Sequence, residues 1–168
     1  MVFTNPNDWT NARANSFFEK EPETIEWINN LPKDIVLWDI GANVGNYSIY
    51  AAKINKKNKI FAFEPSVFNV EILVRNINLN NLESQITLIP FPLSNNSENT
   101  FFNLSSMEWG ASMSSFGKEA MGFDGRLMKV NTRYQTVSFS MDQLIYQNKF
   151  QIPNAIKIDV DGIEHKIL

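Results

Sequence analysis

Downstream of residue 34 the apolar positions come in short bursts separated by stretches of helical spacing, and this alternation sets the expected fold. Residues 35–40, Ile35-Val36-Leu37-Trp38-Asp39-Ile40, are apolar but for one acid and run into Gly41, the pattern of a strand buried on both faces of a parallel sheet. Past a turn from Gly41 to Gly45, the spacing of Tyr47, Ile49, Tyr50, Ala51, Ala52 and Ile54 predicts a helix that dissolves into Asn55-Lys56-Lys57-Asn58. A second buried strand, Ile60-Phe61-Ala62-Phe63, ends at Glu64-Pro65. A helix through Val67, Val70, Leu73, Val74 and Ile77 follows, and a third strand spans residues 85–91. Short connections of this β-α-β-α-β kind imply right-handed crossovers, so the expected fold class is α/β, a Rossmann-like doubly wound and mostly parallel sheet.

Residues 94–140 break the pattern. Phe101-Phe102-Asn103-Leu104 and residues 129–139 read as extended segments around a Gly-, Ser- and Met-rich loop at 109–125, so a β-hairpin-like insertion is expected there. Ser140 can cap a short helix over 141–146, and Ala155-Ile156-Lys157-Ile158-Asp159-Val160-Asp161-Gly162 reads as a fourth strand entering a helix over 163–168. Upstream, residues 1–20 are polar and Asn-rich with no clear period, which points to an arm or a short helix. Glu21-Pro22-Glu23-Thr24 then opens a helix carrying Ile25, Ile28 and Leu31. The expected organisation is an N-terminal arm, 1–20, and one domain, 21–168.

Composition narrows the chemistry. Hydrophobic residues are 43% and charged residues 20% of the 168, near the globular average, so a folded core is expected. The charge balance is 15 Lys and Arg against 18 Asp and Glu, which lacks the broad cationic surface that phosphate neutralisation needs, and nucleic acid is not expected as a partner. Cysteine is absent, which removes disulfides, thiolate nucleophiles and zinc sites built on sulfur, and the single His165 excludes any histidine pair. His165 itself is expected at the surface. No stretch approaches the roughly 18 apolar residues of a membrane helix, and the N-terminus has no signal-like pattern, so a soluble, cytoplasmic protein is expected. No metal site is expected.

In an open parallel sheet, ligands bind outside the carboxyl ends of the strands. Three acidic or glycine-bearing strand ends therefore converge: the 39–45 turn, Glu64-Pro65, and the 159–162 segment. The turn lacks the Gly-Lys-Ser/Thr of a P-loop and does not fit G-x-G-x-x-G, which disfavours a triphosphate or pyrophosphate. Glu64 stands where a carboxylate can accept two hydrogen bonds from a ribose diol. Simpler roles stay open: Gly41 and Gly45 also suit tight strand-to-helix packing, Glu64 a solvated strand end, and the 159–162 segment a helix cap.

Asp39-Ile40-Gly41-Ala42-Asn43-Val44-Gly45-Asn46-Tyr47-Ser48, then Phe61-Ala62-Phe63-Glu64-Pro65, then Ile156-Lys157-Ile158-Asp159-Val160-Asp161-Gly162-Ile163-Glu164, resemble in this order the FkbM family of S-adenosylmethionine-dependent methyltransferases, within the class I fold. The resemblance implies S-adenosylmethionine as cofactor and O-methylation of a hydroxyl on a sugar, lipid or secondary metabolite. It implies that Asp39, Gly41, Ala42, Asn43 and Gly45 form the loop around the methionine moiety, that Glu64, with Pro65, binds the ribose, and that Leu93 and Ser94 lie near adenine. Asp159 and Asp161 match the acidic strand end that faces the acceptor and would act in catalysis. Where the family commonly carries Glu, this chain has the shorter Asp161, and the usual acid near adenine is missing at Leu93-Ser94. The loop at 109–125 is the expected acceptor lid. Class I sheets carry three more strands after the fourth, so a C-terminally truncated form is expected, with an open edge on the fourth strand. Two alternatives stand beside this reading: a truncated remnant acting as a binding module, and a different nucleotide-binding Rossmann enzyme.

Overall fold

The structure is a computed structural model and describes residues 1–161 together with Glu164 and Ile167. In chain order its elements are α1 (Asp8–Asn15), α2 (Phe17–Lys20), α3 (Pro22–Asn30), β1 (Val36–Ile40), α4 (Asn46–Ile54), β2 (Lys59–Phe63), α5 (Val67–Leu79), β3 (Ile86–Ile89), β4 (Asn99–Leu104), β5 (Ser114–Phe116), β6 (Thr132–Val137), α6 (Met141–Tyr146) and β7 (Ala155–Ile158). Four of the strands form a parallel sheet in the order β3-β2-β1-β7, the doubly wound arrangement expected from the sequence.

Strand alternation sorts the core into two layers. Leu37, Ile60, Ala62, Ile86 and Ala155 point to one face, where they meet Ile28 of α3, Ile49, Ala51 and Ala52 of α4, and Leu73 and Ile77 of α5. Trp38, Ile40, Phe63 and Ile89 point to the other, where Leu144 of α6 and the Phe150 ring cover them. With apolar side chains on both faces the strands read as continuous hydrophobic runs, which is why they were legible.

Two facing positions on the first face are not apolar, Asp39 of β1 and Lys157 of β7. Asp39 is fully buried. Its partner across the ladder is Lys157 of β7, whose Nζ lies 3.1 Å from Asp39 Oδ1, while Ser48 Oγ donates to Oδ2 at 2.6 Å. The Lys157 ammonium also sits 5.0 Å from the centre of the Tyr47 ring. Burial works to lower the Lys157 pKa, but Asp39 and then Asp159 outweigh it, and the net shift is upward.

The ends of several elements differ from expectation for local reasons. The third strand stops at Ile89 because Pro90 has no N–H for the ladder. The fourth stops at Ile158, short of the expected 162, because its partner β1 ends at the paired Ile40, and Asp161 further on takes a left-handed conformation with φ +57° that no extended strand can contain. The helix expected over 163–168, and His165 with it, fall outside the described residues except for Glu164 and Ile167. In the insertion, β4 pairs antiparallel with β6 over residues 99–104, and β5, from the stretch expected as irregular loop, adds to the other side of β4. Tyr134 of β6 ties this small sheet to the large one: its hydroxyl donates to the Pro65 carbonyl and accepts from Val67 N–H at 3.3 Å.

Residues 1–20 pack against the domain. Val2 exchanges hydrogen bonds with the Asn80 side chain, and Thr4 N–H donates to Asn76 Oδ1 at 2.7 Å. Asn76 is fully buried and donates in turn to the Val44 carbonyl at 2.8 Å, so the strap, α5 and the turn after β1 share one amide. Among the described residues no helix is long and apolar enough to cross a membrane.

The buried ion pair yields a stability prediction. Lys157→Met leaves the Asp39 carboxylate buried and unpaired and should lower unfolding stability by about 3–5 kcal/mol. The double variant Asp39→Asn/Lys157→Met, which leaves no buried charge, should recover more than half of that loss in urea titrations at constant m-value.

Candidate functional site

The turn after β1 is built by conformation as much as by side chain. Gly41 (φ +81°), Asn43 (φ +51°) and Gly45 (φ +91°) all take left-handed backbone, which glycine adopts freely and asparagine tolerates. At Gly41 there is a second constraint: a Cβ there would stand 1.9 Å from the Asp159 carbonyl oxygen. At Gly45 a Cβ would meet Leu73 Cδ1 at 2.4 Å, so this glycine serves the packing of α5. The N–H groups of Gly41 and Ala42 both donate to the Phe63 carbonyl, at 3.0 and 2.9 Å, which fastens the turn to the end of β2.

Glu64 is the next residue along β2 and only 5% exposed, so it is not the solvated strand end that the sequence left open. Its Oε2 accepts from Asn43 N–H at 2.7 Å and its Oε1 from Ser66 N–H at 2.8 Å. Burial pushes its pKa up to about 7, against the opposing pull of the Ser66 and Asn43 N–H groups, the Asn69 side chain and the Arg13 charge. Each carboxylate oxygen spends one lone pair on backbone and keeps capacity for a further donor. A pair of adjacent hydroxyls is the natural complement.

These groups face an open cleft at the strand ends. Gly41, Asn43, Glu64, Pro65, Leu93, Asp159 and Asp161 all line it, so the three strand ends singled out in the sequence do come together. The rest of the expected set stands behind this wall. Asp39 is held in the core by Ser48 and Lys157, and Gly45 is buried against α5. Ala42 faces a smaller recess next to the cleft. Ser94 is buried beside Leu93, its N–H donating to the Phe139 carbonyl.

The two aspartates differ. Asp159 leaves its side chain 56% exposed, with Oδ2 3.9 Å from Lys157 Nζ. Asp161 turns toward the insertion, and its Oδ2 accepts from Met113 N–H at 2.7 Å and Ser114 N–H at 3.2 Å. Burial raises the Asp161 pKa, opposed by those two N–H groups. Part of the expected lid is thus docked on the site. Asn43 Nδ2 and Asn69 Nδ2 both donate to the Ala111 carbonyl, at 2.9 and 3.1 Å, and Gly110 N–H donates to Asn69 Oδ1 at 2.9 Å.

Sequence reasoning passed over Arg13 and Asn69. Arg13 reaches the cleft from α1, and its Nε donates to the Gly110 carbonyl. Nothing in the polar, aperiodic first 20 residues marks it. Asn69 stands four residues before Leu73 on the buried face of α5, and that place on the apolar stripe is the signal that could have marked it.

Comparison with known proteins identifies the family. Residues 39–168 match the methyltransferase FkbM domain. The hexuronic acid methyltransferase AglP of Haloferax volcanii is 29% identical over 138 residues, covering 81% of this chain and 49% of that protein. The methyltransferase sdnD of Sordaria araneosa is 37% identical over 67 residues, 40% of this chain and 26% of that protein. The chain thus spans about half the length of the first relative and about a quarter of the second. Among solved structures, a precorrin-6y C5,15-methyltransferase from Geobacter metallireducens aligns with a TM-score of 0.39 at 24% identity, over 52% of this chain and 42% of that one. With its matched region running from the Asp39 turn through the Asp159-Val160-Asp161 strand end, the chain belongs to the methyltransferase FkbM domain family.

Proposed function

We propose that the chain binds S-adenosylmethionine across the ends of β2, β1 and β7 and takes part in O-methylation of a hydroxyl on a sugar, lipid or secondary metabolite. The observation that carries this reading is Glu64, a buried carboxylate fixed by two backbone N–H groups at the floor of an open cleft. Its remaining lone pairs suit the ribose diol. Phe91, Pro92 and Leu93 give one end of the cleft an apolar wall that suits adenine, and the Gly41 turn with Asp159 gives the other end a polar one. When bound, S-adenosylmethionine supplies a methyl group on a cationic sulfur that departs as a neutral thioether.

The chain's own residues then have two tasks. The first is to hold the acceptor oxygen in line, and positioning of this kind supplies several kcal/mol of a barrier. The second is to take the acceptor's proton, for which Asp161 and Asp159 face the cleft. Burial raises the Asp161 pKa, which makes its carboxylate a stronger base than an ordinary aspartate when ionised. Support for a sugar acceptor is the name of the relative that matches 81% of this chain, a hexuronic acid methyltransferase. A cytoplasmic location belongs to the same reading, since S-adenosylmethionine is a cellular metabolite.

Isothermal titration with S-adenosylmethionine tests the site. Micromolar binding is expected, and Glu64→Ala should weaken it by about 100-fold or more, the loss of two hydrogen bonds to a charged acceptor at ~1.5–3 kcal/mol each. Unchanged affinity in the variant overturns the assignment.

Acidity gives an independent check. The diol donates to the ionised carboxylate, and with a Glu64 pKa of about 7 the free protein is mostly protonated at pH 6 and mostly ionised at pH 8. Affinity should therefore rise about tenfold from pH 6 to pH 8, with proton release on binding below pH 7, and Glu64→Gln should abolish the dependence. Stability of the free protein runs the other way. The folded pKa lies above the ordinary value of 4.5, so the Glu64 contribution is lost as pH rises from 4.5 to about 7.

A further inference from the structure

The Arg13 guanidinium faces the cleft from α1, outside the matched 39–168 region. Among the described residues only its Nε is engaged, on the Gly110 carbonyl. Among the described residues no carboxylate lies within ion-pair distance of it, although Asp159, Glu64, Asp161 and Glu21 all act on it electrostatically. Burial pulls its pKa below the usual arginine value against those four charges. A guanidinium turned into a cleft, its two terminal nitrogens without a partner among the described residues, suits a planar anion, and a carboxylate matches it bidentately.

The recess beside it adds a second observation. Asn46 Nδ2 donates to the Arg13 carbonyl at 2.8 Å, which leaves Asn46 Oδ1 buried with no partner among the described residues. Arg13, Lys20, Asn46 and Asp159 line this recess together. An unpaired cation and an unpaired acceptor, with a carboxylate nearby, complement a zwitterion: its carboxylate on the guanidinium, its ammonium on Asn46 Oδ1 and Asp159. The apolar end of the cleft, at Phe91-Pro92-Leu93, is unsuited to such a charged group, and Glu64 between them fixes which way a nucleoside must lie.

We infer that Arg13 recognises the α-carboxylate of the methionine moiety, so that the N-terminal helix forms one wall of the cofactor site. This inference rests on the S-adenosylmethionine reading. It can be tested with two ligands that share the nucleoside and differ in the amino acid: S-adenosylhomocysteine, which has it, and 5′-methylthioadenosine, which lacks it. Calorimetry on the full chain should show S-adenosylhomocysteine binding at least tenfold more tightly. Arg13→Gln should weaken S-adenosylhomocysteine by about 10- to 100-fold, the range of a hydrogen bond to a charged group, and leave 5′-methylthioadenosine within twofold. Arg13→Lys, which keeps the charge and loses the fork, should fall between.

Unchanged S-adenosylhomocysteine affinity in Arg13→Gln overturns the inference, and is the result expected if the guanidinium instead meets a carboxylate of the acceptor. Parallel weakening of both ligands also overturns it, because Arg13 would then act only through its bond to Gly110. If the wild-type chain binds neither ligand, the cofactor reading itself fails.

Discussion

Two buried charges fix the relation between the strands that frame the site. Asp39 and Lys157 are opposite each other on β1 and β7, on a face otherwise filled by aliphatic side chains. An aspartate placed there alone would cost several kcal/mol, so the sequence can carry it only if the lysine of the neighbouring strand is in register. Two residues further along each strand, the chain reaches Gly41 and Asp159, whose backbones approach too closely for any side chain at position 41. The ion pair and the glycine are therefore parts of one constraint. A slip of one residue would bury both charges unpaired and bring a side chain against the Asp159 carbonyl.

Around that frame, asparagine amides do most of the fastening. Asn43 and Asn69 converge on the Ala111 carbonyl, Asn76 joins the N-terminal strap to the turn, and Asn80 holds Val2. Each amide offers both donors and an acceptor, so a single side chain can bridge segments far apart in sequence. The insertion, the turn and the first residues are thereby gathered on α5. Glu64 belongs to this scheme too, since its bonds to Asn43 and Ser66 tie the turn to the start of α5.

The parallel sheet was legible because its strands are buried on both faces and are punctuated by glycine, proline and acids. Leu37 and Trp38 can both be apolar only when helices cover both sides. The strand-end acids were legible for a related reason: a charge that ends an apolar run is conspicuous. What stayed hidden depends on contacts that are long in sequence. Asp39 sits inside a ligand-loop motif, yet its partners are Ser48 and a lysine 118 residues away, and no local pattern announces that pairing. Arg13 lies in a helix whose residues are polar nearly all round, so no period distinguishes the side facing the cleft. β5 has only three residues, too few for a pattern of its own, and exists because the edge of β4 is there to pair with.

The prevalence of neutral amides in the fastening has an effect on how the site meets its surroundings. An amide does not titrate, and its hydrogen bonds are not weakened by dissolved salt as exposed ion pairs are. Glu64, which faces the cleft, does change charge within the range of ordinary solution conditions. It stands in both groups, facing the cleft and tying the turn to α5, so a shift in acidity alters what the cleft attracts and acts on that fastening while the amide bonds around it stay as they are.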